Sequence, residues 1–409
     1  RNFYIDKEIK DTVKEIVEKV EIEGDKALFE YTAKFDQIEL EKFEVTETEI
    51  EEGYRQVDDE FKKSIKKAIK NIKKFHEKQL RENWFSSEKG KMTGQLFNPI
   101  QRIGAYVPGG SAAYPSSALM TVIPAVVAGV KEIAVVTPPD KKGGVNPYTL
   151  TALKKAGVKE IYKVGGAQAI AALASGTATI KPVSKIVGPG NIYVTAAKKM
   201  VYGRVDIDML AGPSEVMILA DDSAEPKYIA ADLLSQAEHD PRAVSILVTT
   251  SAEIAQSVKS EVEAQLGELS RKDIASKSWE ENGQIIVIDD IETGMEMVNK
   301  FAPEHFELVV KEPFSHLDKL KNAGAVFIGE YSSEPLGDYM AGPNHVLPTG
   351  GTAKFSSPLN TDDFLKKTSV IYYQKQGLKD VEKDVIKIAE LEGLDAHGEA
   401  VRKRFEDNN

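Results

Sequence analysis

Between residues 1 and 82 apolar side chains recur at helical spacing, first as Ile9, Val13, Ile16, Val17 and Val20, then as Ile65, Ala68, Ile69, Ile72 and Phe75. Lys and Glu fill the intervening positions, so each helix has one apolar stripe and one solvated face, and residues 1–100 are predicted to form a helical N-terminal region. From about residue 100 the pattern changes. Short β-branched runs at 103–107, 132–137, 159–164, 184–188 and 215–220 alternate with Ala-rich helical stretches at 117–129, 147–156, 166–175 and 190–202. Strands and helices alternating at this spacing predict parallel sheet with right-handed crossovers. A second series of apolar runs follows at 244–250, 284–289, 306–310 and 325–329. The expected architecture is therefore α/β, with two parallel-sheet domains at 101–214 and 215–368. Residues 369–409 return to Lys- and Glu-rich helix and are expected to form a small C-terminal helical arm.

Composition narrows the function classes. Acidic residues outnumber basic ones by 64 to 53, and the resulting charge of -11 argues against a nucleic-acid binder that works by neutralising phosphates. No apolar run approaches the roughly 18–20 residues needed to cross a bilayer, and the leading residues lack a basic-then-apolar signal pattern, so a cytoplasmic, membrane-free protein is expected. The chain has no cysteine, which excludes disulfides, a thiolate nucleophile and cysteine-bound zinc. Any metal must then sit on His, Asp, Glu or Gln, and there are only six histidines to consider.

Several segments carry candidate chemistry. Glycine-bearing turns follow predicted strands at Pro108-Gly109-Gly110-Ser111, Gly165-Gly166 and Gly188-Pro189-Gly190-Asn191. At the carboxyl ends of parallel strands such turns suit an anionic group such as a pyrophosphate, although none is a G-x-G-x-x-G and permissive turn glycines look the same. Gln236 and His239, three apart near a helix end, share a face on which an amide oxygen and an imidazole can meet one metal; a structural or exposed histidine fits the same spacing. Glu304 and His305 place a carboxylate and an imidazole side by side at a strand start, where Pro303 lets the backbone turn so that both reach one site. The glycine-rich stretch 336–352 carries Asp338 and His345, and the EGLDAH segment at 392–397 adds Glu392 and His397. His76 and His316 are read as having no role in the site, His316 as a surface residue of a polar helix.

Taken together, these blocks resemble the histidinol dehydrogenase family over nearly the whole chain. The most specific stretch runs from Ile207-Asp208-Met209-Leu210-Ala211-Gly212-Pro213-Ser214-Glu215-Val216 to Ser235-Gln236-Ala237-Glu238-His239. AYVPGG at 105–110, VGGAQAIAAL at 164–173, VGPGNIYV at 187–194, APEHFEL at 302–308, GDYMAGPNHVLPT at 337–349 and EGLDAH match in order. The resemblance implies two Rossmann-like, aldehyde-dehydrogenase-like domains. It also implies a four-electron oxidation of L-histidinol to L-histidine through L-histidinaldehyde at the end of histidine biosynthesis, with two NAD reduced. It assigns zinc to Gln236, His239, Asp338 and His397, where the metal orients the substrate's imidazole and amino groups. His305 becomes the general base for the alcohol and Glu304 the residue that activates water. Ser214 and Glu392 join the zinc ligands and His305 in substrate contact, and Tyr106, Gln168 and Asn191 contact NAD. The family implies a homodimer with an exchanged C-terminal arm, so that Glu392 and His397 complete the partner's site. Two other readings remain: a relative that oxidises another small alcohol, and a silent zinc- or nucleotide-binding protein.

Overall fold

The computed structural model describes residues 5–109 and 113–406. Four leading helices, α1 (Lys7–Glu23), α2 (Asp25–Phe35), α3 (Glu47–Gln56) and α4 (Asp59–His76), precede a hairpin of β1 (Trp84–Glu88) and β2 (Lys91–Pro99). Strands and helices then alternate through β3 (Arg102–Tyr106), α5 (Pro115–Ala128), β4 (Glu132–Thr137), α6 (Pro147–Ala156), β5 (Glu160–Lys163), α7 (Gly166–Ser175), β6 (Lys185–Val187), α8 (Ile192–Val201) and β7 (Asp206–Ile207). The second series is β8 (Glu215–Ala220), α9 (Pro226–Ala237), β9 (Val244–Thr249), α10 (Ala252–Leu266), α11 (Lys272–Asn282), β10 (Gln284–Val287), α12 (Ile291–Phe301), β11 (His305–Val309), β12 (Ala325–Ile328) and α13 (Glu334–Tyr339). The chain ends in β13 (Leu365–Tyr373), α14 (Lys375–Leu391) and α15 (Asp395–Arg402).

The chain divides into two compact units, one of residues 1–79 and 100–364, the other of 80–99 and 365–409. The larger unit holds two five-stranded sheets, ordered β5-β4-β3-β6-β7 and β10-β9-β8-β11-β12. Every pairing in both is parallel, as strands connected through helices require. The leading helices have a packing role: Val13, Val17, Val20 and Leu28 join Ile170, Leu173 and Ala197 of α7 and α8 in one buried cluster over the first sheet. The second sheet is covered on both faces. Val216 and Ile218 pack with Leu233 of α9 and Val258 of α10, while Met217 and Leu219 pack with Val298 of α12 and with Phe306 and Leu308 of β11.

The smaller unit departs from the expected organisation. Helix was expected throughout 1–100 and 369–409, but residues 84–99 form a hairpin, and β2 pairs antiparallel with β13 from Lys91–Tyr373 to Pro99–Leu365. The reason is that these strands are mostly exposed and lack a continuous buried face, so no apolar alternation marks them. The pairing of β2 with β13 joins segments more than half the chain apart in sequence. His316 also differs from expectation: it lies in a 3-10 turn, Pro313–Lys319, where it is half-buried.

Candidate active site

Two sheet ends carry the candidate residues, and they are of opposite kinds. The glycine turns sit beyond the carboxyl ends of β3, β5 and β6, where the strand order reverses on either side of β3. There Gly188 has φ +110°, and a Cβ on it would lie 2.1 Å from the Tyr106 carbonyl oxygen. Glycine is needed for that close approach. The turn is fixed further by Asp208, which accepts the Gly188 N–H at 2.7 Å, and by Lys198, which donates to the Gly188 carbonyl at 2.9 Å and pairs with Asp208. Asn191 then caps α8 by accepting from Tyr193 and Val194 N–H. Tyr106 is buried, its hydroxyl accepting the Gly166 N–H at 3.1 Å, and Gln168 is buried in the first turn of α7. The structure thus places the three expected NAD residues at one sheet end. Gly110 and Ser111 of the first turn lie outside the described residues.

The candidate acid–base residues, Glu304 and His305, stand at the amino end of the second sheet. Helix α12 ends at Ala302, buried at φ +55°, a left-handed conformation uncommon for alanine, and Pro303 prevents the helix from continuing. This turn lets consecutive residues reach one target. The Glu304 carboxylate accepts the Glu215 N–H at 3.0 Å, and His305 Nδ1 lies 3.2 Å from the Glu215 carbonyl oxygen. A proton on Nδ1 satisfies that carbonyl and leaves Nε2 as the basic nitrogen, 3.7 Å from a Glu334 carboxylate oxygen. Burial pushes the His305 imidazole down to about 4, so it is neutral at ordinary pH. Burial drives the Glu304 carboxyl well above its usual range despite the Glu215 N–H, and the nearby acidic groups add to the rise.

Glu334 and Asp338 are one turn apart on the short helix α13, so both face the same way. Ser235, beside Gln236, donates to Glu334 at 3.3 Å and connects this helix to the end of α9. Burial and the Asp338 charge push Glu334 up to about 8. Asp338 moves the other way: burial opposes its ionised form, but His345, with Nδ1 at 3.3 Å from Oδ1, holds it below the usual carboxylate range. Behind them Glu307 is raised well above normal by burial and by Asp232, which is itself pushed to about 6 by burial.

Among the described residues, His305, Glu334 and Asp338 offer ligand atoms within 4.8 Å of one another. This trio shares Asp338 and His305 with the residues singled out from sequence and adds Glu334. Gln236 is fully buried, and neither side-chain amide atom has a hydrogen-bond partner among those residues. Leaving such atoms unpaired costs about 1–3 kcal/mol, which a bound ion or ligand would recover. An amide oxygen, imidazoles and carboxylates without sulfur form a donor set that suits zinc, so the residues fit the expected metal. His239 is exposed just beyond α9, close enough for its charge to act on His305 and Asp338. Ser214 is half-buried immediately before β8. Glu392 and His397 belong to the smaller unit, both exposed, Glu392 at the end of α14 and His397 in the first turn of α15. Sequence reasoning missed Glu334, Glu215, Glu307 and Asp232; the i, i+4 spacing of Glu334 and Asp338 behind Ser333 and Pro335 was the available signal for the first.

Glycine turns at one parallel sheet and a buried carboxyl–imidazole pair at the other define an α/β enzyme equipped for acid–base chemistry. The chain belongs to the histidinol dehydrogenase family, whose model matches residues 1–405. The histidinol dehydrogenase of Caldanaerobacter subterraneus subsp. tengcongensis is 56% identical over 401 residues, covering 98% of this chain and 93% of that protein. That of Heliobacterium mobile is 53% identical over 397 residues, covering 96% and 93%. The crystal structure of histidinol dehydrogenase from Elizabethkingia anophelis superposes with a TM-score of 0.95 at 42% identity, covering 99% of this chain and 94% of that one.

Proposed function

We propose that this chain catalyses the NAD-dependent, four-electron oxidation of L-histidinol to L-histidine through L-histidinaldehyde, at the end of histidine biosynthesis. The observation that supports it best is the shared anchoring of Glu304 and His305 on the backbone of Glu215. With Nδ1–H directed to that carbonyl, neutral His305 presents Nε2 to take the hydroxyl proton as the alcohol is oxidised. Glu304, held by one N–H in a buried setting that favours the protonated form, exchanges a proton readily with water and promotes hydration of the aldehyde. Oxidation of the hydrate yields the acid, so one alcohol and one water give one carboxylate, two reduced cofactors and three protons.

Gln236, His239 and Asp338, with His397 from a second copy, would hold zinc, which when bound orients the substrate's imidazole and amino groups. The exposed position of His397 in the smaller unit supports its availability to another subunit. Ser214 and Glu392 complete the substrate contacts. Tyr106, Gln168 and Asn191 would contact NAD, which when bound accepts the hydride at each stage. In this reading the enzyme is a cytoplasmic homodimer that binds neither nucleic acid nor membrane; among the described residues no helix is long and apolar enough to cross a membrane.

The test is NADH formed per L-histidinol consumed, with and without a chelator. Two per substrate, abolished by chelation and restored by zinc, is the expected result. One per substrate with aldehyde accumulating would remove Glu304 from the hydration step. None at all would transfer the assignment to another alcohol.

A further inference from the structure

The loop that carries His345 is fastened at a place the helix pattern explains. Helix α5 contains Pro124, which has no N–H, so the carbonyl of Met120 four residues earlier lacks its helical donor. Asn344 fills that vacancy. Its Nδ2 donates to the Met120 carbonyl at 2.7 Å, and its Oδ1 accepts the Val346 N–H at 2.8 Å. The side chain is only 4% exposed, so both bonds are made where water offers little substitute. The two bonds bracket His345, whose ring meets Asp338. Asn71 of α4 donates to the Met340 carbonyl at 2.8 Å, and Thr349 accepts the Gly212 N–H at 2.6 Å, so the loop is also held on either side of this point.

We infer that Asn344 is a positioning residue: seated on the carbonyl that Pro124 leaves open, it sets His345 against Asp338 and fixes the loop that carries His345 to α5, the helix that follows the first glycine turn. This function depends on the reaction proposed above only for its kinetic readout. The proline and the asparagine act as one device, although they are far apart in sequence and neither belongs to the reacting groups.

Two substitutions test it. Asn344→Asp is nearly isosteric and retains the acceptor for Val346, but turns an oxygen toward the Met120 carbonyl. Pro124→Ala restores the helical N–H that competes for that carbonyl and removes the proline distortion from α5, without altering the loop. For Asn344→Asp the expected result is a drop of about tenfold or more in kcat/KM for L-histidinol with the KM for NAD unchanged. Pro124→Ala should give a smaller drop of the same kind with no loss of thermal stability. A second readout is independent of turnover: imidazole NMR of the zinc-free, substrate-free protein, with the His345 signals identified by their loss in His345→Gln. Both substitutions should shift those signals. Unchanged His345 signals in a folded Asn344→Asp protein would overturn the positioning role, even if the enzyme proved to act on another alcohol. Unchanged signals in Pro124→Ala would remove the proline from the device. Shifted signals without activity on L-histidinol would leave the positioning intact and count against the proposed substrate instead.

Discussion

At the scale of single residues, the site is governed by carboxyl groups that burial makes reluctant to ionise. Glu334, raised from 4.5 to about 8, binds a proton in the folded chain over a range in which the unfolded chain has lost it. Its contribution to stability is therefore fully present below 4.5 and is lost as pH rises through about 8. His305 has the opposite sign: with a folded value near 4 against 6.5, it costs stability as pH falls through that interval and is silent above it. Between about pH 6.5 and pH 9 the carboxyl term therefore stands clear of His305. The thermal midpoint of the zinc-free protein should fall across this range, and Glu334→Gln should flatten the fall; an equal slope in the variant would contradict the assignment. Glu304→Gln should leave zinc content intact while slowing conversion of aldehyde to acid by about a hundredfold or more, with the alcohol step less affected, as single-turnover kinetics would show. The Glu304–His305 pair was legible in the sequence because the two are adjacent and Pro303 marks the turn. Glu215 was not, because it contributes backbone atoms, and backbone groups carry no residue-type signal.

At the scale of elements, agreement between pattern and fold follows how local the determining contacts are. The expected strand at 132–137 and the expected helices at 147–156 and 166–175 coincide with β4, α6 and α7 because each carries its own apolar period and its own turn residues. The hairpin of β1 and β2 went unread because its pairing partner, β13, is remote and it has no continuous buried face. Helix α13 is too short to show a period, so Asp338 stood out alone in a glycine-rich stretch and Glu334, one turn before it, went unread. Glycine constrains the smaller unit more tightly than any apolar pattern there. A Cβ on Gly377, in the first turn of α14, would lie 2.2 Å from the Gly90 carbonyl oxygen in the turn of the hairpin. Backbone atoms meet on both sides, so no side-chain rotation relieves the clash. Gly377→Ala should destabilise this unit by about 1–3 kcal/mol, measured by denaturant unfolding, whereas Gly157→Ala, with open space around its Cβ, should cost only the strain of its φ of +91°.

At the scale of the whole molecule, the question is where the fourth of the proposed zinc ligands originates. Gln236, His239 and Asp338 belong to the larger unit and His397 to the smaller one, so a copy defective in one unit retains the other intact. If His397 serves a second copy, a dimer pairing His239→Ala with His397→Ala has one site carrying both defects and one carrying neither. Each parent homodimer has two defective sites. Random reassortment makes half of the dimers mixed, so mixing equal amounts after reversible dissociation should restore about a quarter of wild-type activity from two inactive parents. If each chain completed its own site, every site in a mixed dimer would carry one defect and mixing would restore nothing. The test distinguishes these geometries because complementation needs one undamaged site, not merely association. Restored activity should rise with the fraction of mixed dimers as subunits exchange, and should bring one equivalent of tightly bound zinc per mixed dimer. Zinc returning without activity would separate metal binding from the substrate contact expected of Glu392, which neither variant alters.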